Sequence, residues 1–198
     1  MMLYLLEYII ITYKLLINYE VSNLRNLLVL VSVIIPLASI ITAASTSGWF
    51  NILDNALSDL GHATQSKVAP LFNAGLVLGG VLAYTVAITS RDVKRRYNAV
   101  LLFSALMLIF IGVFNEVYGK LHFYVSVLFF TGLLFFTAIC ALDNALSLSL
   151  RSIAIVVILV MITSWILHYT LEIPRGAALP ELTCILTWLP FYLKIYYK

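Results

Sequence analysis

Apolar residues run through this chain in long blocks separated by short polar breaks. Six blocks stand out, at residues 25–46, 68–89, 97–114, 122–142, 152–171 and 181–197. Each is close to the roughly 20 residues that a helix needs to cross the apolar core of a bilayer. Many of their residues are β-branched, which favours strands on a pleated, half-buried surface. In lipid, however, the backbone has no water to bond, so a spanning segment must close its own hydrogen bonds, and the blocks predict helices. Neither a repeat nor a low-complexity segment interrupts them. The pattern reads as an all-α, polytopic membrane protein, with a six-helix transmembrane bundle over residues 25–198.

Residues 1–24 have a different character. Glu7 and Lys14 are two turns apart on one helix face, and Tyr4, Tyr8, Tyr13 and Tyr19 suit a membrane interface. This predicts an amphipathic or interfacial N-terminal segment lying in the plane of the membrane. The rival is a seventh span that carries Glu7 in lipid, which is costly unless the carboxylate is paired. A signal peptide is not expected, since no basic region precedes the apolar run and Glu7 interrupts it.

Composition narrows the class. The chain is 63% hydrophobic and 11% charged, with a mean hydropathy of +1.03. Ordinary soluble domains are about 45–50% apolar and about 25% charged. A soluble enzyme, a disordered chain and a nucleic-acid-binding module are excluded on these numbers. The expected partners are membrane lipid and either another membrane protein or a second copy of this chain, with no nucleic acid.

The net charge of +3 matters less than where the charges fall. Arg91, Lys94, Arg95 and Arg96 crowd one break, and by parity Lys14, Arg25, Arg151, Lys194 and Lys198 share their side. Only Lys67, Lys120 and Arg175 fall on the other, a nine-to-three split. Positive residues are retained in the cytoplasm, so a multi-pass protein of the plasma membrane with both termini cytoplasmic is expected. Trp49, Tyr118 and Trp165 then lie near the outer interface, and Trp188 packs within the bundle. Gly75 and Gly79 form a small-xxx-small pair for close helix packing. Pro36 should bend the first span, while Pro70 and Pro180 lie in first turns, where proline costs little. Cys140 and Cys184 fall near opposite faces, too far apart for a disulfide.

The polar residues sort by depth. His62, His122 and His168 all fall at the outer end, as do Asp54, Asp59, Glu116, Glu172 and Glu181. His168 and Glu172 are spaced i,i+4, which on a helix makes them neighbours, so Glu172 is expected to orient the imidazole. A short 115–121 connection tethers Glu116 near His122. In the first outer loop, Ile52, Leu53, Ala56, Leu57 and Leu60 recur at helical spacing, with Gly61 where a C-terminal cap belongs. That predicts a short interfacial helix that brings Ser58, Asp59 and His62 to the rim where Glu116, His122, His168 and Glu172 emerge. These seven are the candidate catalytic residues of one outer polar pocket. Taken singly, each is ordinary for a helix end near water, and Glu181 in a first turn suits the helix dipole. No ionisable residue lies at the midplane of any block, which counts against an ion-coupled transporter.

The stretch NALSDLGHATQSKVAPLFNAGLVLGG, with Leu57-Ser58-Asp59-Leu60-Gly61 and Leu71-Phe72-Asn73, resembles the signature of a family of prokaryotic, largely archaeal, membrane proteins. That family is catalogued as domain of unknown function 998. NEVYGKLHFYVSVLFF, with Glu116, His122 and Phe129-Phe130, is similar to its junction between third and fourth spans. The likeness covers residues 25–197 and implies six spans but no activity. More distantly the layout resembles the eukaryotic DRAM/Sfk-type six-span proteins, which include a lipid-remodelling factor, so it points by analogy toward lipids.

Three functions follow from these observations. The first is an enzyme acting on lipid or polyisoprenoid head groups, with a histidine as general base and a carboxylate orienting it. A zinc version would use the three histidines, but no local metal motif supports it, and the cofactor is left unknown. The second is a non-catalytic membrane subunit or scaffold that binds partner helices or lipid. The third, disfavoured by the bare midplane, is a passive transporter.

Overall fold

A computed structural model describes residues 2–198, with side chains from residue 23 onward. The amphipathic segment expected over residues 1–24 lies outside the residues whose side chains are described, apart from its last two. Six helices follow one another: α1 (Met2–Ser47), α2 (Ala69–Thr89), α3 (Arg95–Val113), α4 (Lys120–Leu142), α5 (Leu148–Leu171) and α6 (Ala178–Tyr196). Two short 3₁₀ turns, Leu57–Gly61 and Glu116–Tyr118, lie in the loops before α2 and α4. Among the described residues there is no strand.

Local chemistry sets the helix ends. α1 stops before Gly48, whose φ of +75° suits a residue without a Cβ. Pro70 sits in the first turn of α2, where its missing N–H costs nothing. Ser147 caps α5 by accepting the Leu150 N–H at 3.3 Å.

Five helical segments are long and apolar enough to cross a membrane: residues Asn23–Ser47 of α1, then α2, α3, α4 and α5. The chain is therefore a multi-pass helical membrane protein. α6 falls short of that mark because Pro180, Glu181, Pro190 and Lys194 dilute its apolar residues, yet it packs against α4 and α5 and touches α1. On α5, Ile155, Val156, Leu159 and Ile166 are exposed. Lipid is as apolar as leucine, so this face is solvated by acyl chains.

Small residues set the helix spacing, as the glycine pair predicts. A Cβ at Gly75 would meet the Ser39 side chain of α1 at 2.1 Å, and one at Gly79 would meet Pro36 at 2.6 Å. On the next faces, Gly80 is closed against Ile109 and Gly132 against Ser104. Van der Waals contact of this kind holds helices together where the hydrophobic effect is absent. Two groups of buried side chains fill the bundle. One, toward the Arg91–Arg96 loop, centres on Tyr97, Leu101, Phe136, Tyr192 and Tyr196, with Trp188 stacked on Tyr192 at 5.0 Å. The other, under the opposite loops, holds Leu57, Leu60, Phe72, Ile111, Phe129, Leu133 and Met161.

Ion pairs close the basic end. Asp143, just past α4, is buried and accepts from Lys94 Nζ at 2.6 Å, from Arg96 at 2.7 Å and from the Tyr97 hydroxyl at 3.0 Å. Burial alone would raise its pKa, but these donors hold the carboxyl well below the usual carboxylate range. Asp92 pairs with Arg25 at 2.8 Å and with Lys198. Burial again acts upward, and the Lys198 and Arg25 donors outweigh it, leaving Asp92 at about 2.

The loop between α1 and α2 departs from expectation. In place of an amphipathic helix lying in the interface, the chain makes turns over 51–54 and then the Leu57–Gly61 3₁₀ turn. Leu57, Ser58, Leu60 and Gly61 are buried, so this segment is driven into the top of the bundle. The α5–α6 loop fastens it: the Gly176 N–H donates to Leu53 O at 2.8 Å and the Ala178 N–H to Asn55 O at 3.0 Å.

Candidate functional site

A cavity of about 350 Å³ opens between α4, α5 and α6, beneath the Leu57–Gly61 turn. Its volume is in the range of small-molecule sites, about 300–1,000 Å³. Polar groups gather at the loop end: Ser58, Glu116, His122, Ser126 and Glu181. Below them the walls are apolar, formed by Val127, Phe130, Leu134, Met161, Ile162 and Trp165. Val127 and Ile162 are exposed on the outer surface of the bundle. The cavity therefore gives onto the lipid-facing side between α4 and α5.

Each polar side chain is placed by identifiable local structure. Ser58 rides on the 3₁₀ turn, which Leu60, fully buried, pins to the core. Asp59 holds that turn from behind, accepting the Ala56 N–H at 2.9 Å and the Asn55 side chain at 3.2 Å. Asn73 of α2 donates to Gly61 O at 2.9 Å and fixes the turn's far end. Glu116 opens the second 3₁₀ turn, where Asn115 caps the Val117 N–H at 3.2 Å. His122 lies in the first turn of α4 and is buried.

The hydrogen bonds define the chemistry. The Ser58 hydroxyl donates to Glu116 Oε1 at 2.7 Å. His122 Nδ1 lies 2.7 Å from Phe114 O. A carbonyl only accepts, so this bond assigns the proton to Nδ1. In the neutral ring, Nε2 then carries the lone pair, 3.4 Å from Ser126 Oγ and 3.8 Å from Glu116 Oε1. The last distance is too long for a direct hydrogen bond and suits an intervening water or a ligand hydroxyl. Glu181 Oε2 accepts the Leu57 N–H at 2.7 Å. Two carboxyl groups, one imidazole and two hydroxyls thus converge, and among the described residues no lysine or arginine lines the space.

Of the seven candidates, Ser58, Glu116 and His122 meet at the cavity. Asp59 supports the turn without lining the cavity. His62 is half-buried outside it, with Nδ1 3.3 Å from Thr64 Oγ1. His168 and Glu172 do not pair. α5 ends at Leu171; the Glu172 N–H still bonds His168 O at 3.1 Å, but Glu172 takes a left-handed conformation with φ 54° that turns its side chain off the helix face and leaves it exposed. His168 faces the other way, its Nδ1 2.9 Å from Pro174 O. Its ring lies edge-on to Trp165 and Tyr169, which do line the cavity, so it supports the wall. Among the described residues, no group of three or more His, Cys, Asp or Glu side chains is placed to hold a metal ion. The three-histidine arrangement considered for zinc therefore does not form, because the rings sit in three separate environments.

Glu181 joins the site although its position in a first turn suits the helix dipole alone. Its burial comes from the loop folding over it, a tertiary event with no local signature. The one signal available was its depth, level with Glu116.

A family model described as "Protein of unknown function (DUF998)" matches residues 29–192. No curated protein and no solved structure matches the chain.

Proposed function

The chain belongs to that DUF998 family of membrane proteins of unknown function, and from this premise we propose that it holds a lipid or polyisoprenoid chain in the α4–α5–α6 cavity and acts on its head group. The observation that carries this reading is the polarity gradient of the cavity. Ser58, Glu116, His122 and Glu181 lie at one end, and an apolar slot that opens sideways toward lipid lies at the other. A head group with an attached acyl or isoprenoid tail has the same two halves. The chemistry that fits is hydrolysis or acyl transfer. His122 Nε2 takes the proton of an attacking water or hydroxyl while its oxygen bonds to the acyl carbon. The same imidazole returns the proton to the leaving group as the old bond breaks. Glu116 faces Nε2 and stabilises the imidazolium that forms in between.

Filling the slot tests the reading. Thr131→Trp places an indole among the apolar lining. Native mass spectrometry of protein released from nanodiscs is expected to show a retained lipid in the wild type. Occupancy in the variant is expected to drop at least ~10-fold, equivalent to about 1.4 kcal/mol of binding. Equal occupancy in the two proteins would overturn the assignment.

The charge pattern supports an orientation as well. The end bearing Arg91, Lys94, Arg95 and Arg96 faces the cytoplasm, together with both termini, and the cavity opens in the outer leaflet of the plasma membrane. Single cysteines at positions 62 and 94 check this in whole cells. A membrane-impermeant thiol reagent is expected to label the first and spare the second, and the reverse pattern refutes the orientation.

A further inference from the structure

We infer that the head group this cavity accepts is a protonated amine and that it refuses phosphate-bearing lipids. The inference rests on the cavity being a lipid site, and it names the class of lipid.

The argument starts from charge. Among the described residues the titratable lining consists of Glu116, Glu181, His122, Tyr169 and Cys184, with no lysine or arginine. Phosphate sites are built from arginine and lysine or from the N–H groups of a helix terminus. Three N–H groups of the two 3₁₀ turns are engaged by side chains of their own loops and α6. The Leu57 N–H goes to Glu181, the Ala56 N–H to Asp59 and the Val117 N–H to Asn115. Among the described lining residues the imidazole is the one basic side chain, and it stands across from Glu116. A phosphate would meet two carboxyl groups with no lysine or arginine among the described residues to offset them.

The carboxyl groups are also close neighbours. Consecutive residues of the 3₁₀ turn hold them, Leu57 through its N–H to Glu181 and Ser58 through its hydroxyl to Glu116. Cα atoms one residue apart are separated by about 3.8 Å, so the two acids face one small volume. Each receives one donor there, which leaves Glu116 Oε2 and Glu181 Oε1 with no hydrogen-bond partner among the described residues. A carboxylate held beside a cation accepts and never donates. An ammonium group supplies three donors and the missing positive charge, and Ser126 offers an acceptor beside it. The surroundings are apolar, which strengthens such a pair relative to water.

Three probes with one tail separate the possibilities: hexadecylamine, hexadecanol and hexadecyl phosphate. The full chain is placed in phosphatidylcholine nanodiscs, and binding of each probe is followed directly by native mass spectrometry. The amine is expected to bind at least ~10-fold more tightly than the alcohol, a difference of about 1.4 kcal/mol, with the phosphate weakest. In the Glu116→Gln, Glu181→Gln double variant the amine is expected to fall to the level of the alcohol. Retained hexadecanol binding reports that the site is still folded, and the single Glu116→Gln variant serves if the double one is not. Phosphate binding equal to that of the amine overturns the inference, as does an amine preference that survives the substitutions. Failure of all three probes to bind the wild type instead removes the cavity as a lipid site.

Discussion

Replacing His122 with alanine is expected to slow the head-group reaction by roughly 10²–10⁴-fold, the usual contribution of a positioned general acid–base group. The expectation rests on how tightly the ring is held. It is 4% exposed, its Nδ1 proton is committed to Phe114 O at 2.7 Å, and its Nε2 lone pair is directed into the cavity. Phe114 lies at the end of α3 and His122 at the start of α4, so the bond ties the ring to both helices. Turnover of a total polar lipid extract, read by mass spectrometry in proteoliposomes, gives the comparison. The variant should keep its bound lipid, because the apolar walls that hold the tail are untouched, and Ser126→Ala should lose far less activity. Turnover unchanged in His122→Ala would remove the imidazole from the reaction. A wild type that retains lipid and transforms none would make the chain a lipid-binding subunit without catalysis.

The second large effect is structural. Gly176→Ala is expected to destabilise the protein by about 3 kcal/mol, at the upper end of overpacking costs. A Cβ at Gly176 would lie 2.2 Å from Asn55 O and 2.3 Å from Asn55 N. Both are backbone atoms, the oxygen accepting the Ala178 N–H and the nitrogen donating to Asn51 O, so no side chain can swing aside to make room. The loops must separate, and with them go the Gly176-to-Leu53 and Ala178-to-Asn55 hydrogen bonds. The unfolding midpoint in detergent should fall, and lipid retention should fall with it. The exposed neighbour Arg175, replaced by alanine, should change neither. A Gly176→Ala protein with wild-type stability would mean that the two loops are not packed as described.

Much of the architecture was written in the apolar blocks. The run at 68–89 became α2 at Ala69–Thr89, and that at 122–142 became α4 at Lys120–Leu142. Such boundaries are legible because lipid allows one backbone solution per span, so length and polarity decide them. The close packing of α2 on α1 was visible too, in Gly75 and Gly79. The loops were harder to read. Leu57 and Leu60 fit an amphipathic helix, but their apolar side is drawn inward by a core that already includes Phe72 and Ile111, and the backbone tightens to a 3₁₀ turn. The i,i+4 pairing of His168 with Glu172 assumed one more turn of α5. The loop that docks on Asn55 redirects the chain instead, and Glu172 becomes the residue that ends the helix. Ser58, Glu116 and His122 stand at one depth, which sequence order conveys, and the short 115–121 connection tethers the last two, whereas Ser58 arrives through the docking of the longer α1–α2 loop. Glu181 depended on a fold-back that no local pattern records.

The two acids in the cavity, one on α6 and one on the Glu116–Tyr118 turn, are both bonded by neighbouring residues of a single buried turn. Selectivity and scaffold are consequently separable in this architecture. Grafting the corresponding segment from another member of the family would re-aim both carboxyl groups in one step where its residues at 57 and 60 still fill the core, so diversification of ligand preference is open to short loop exchanges.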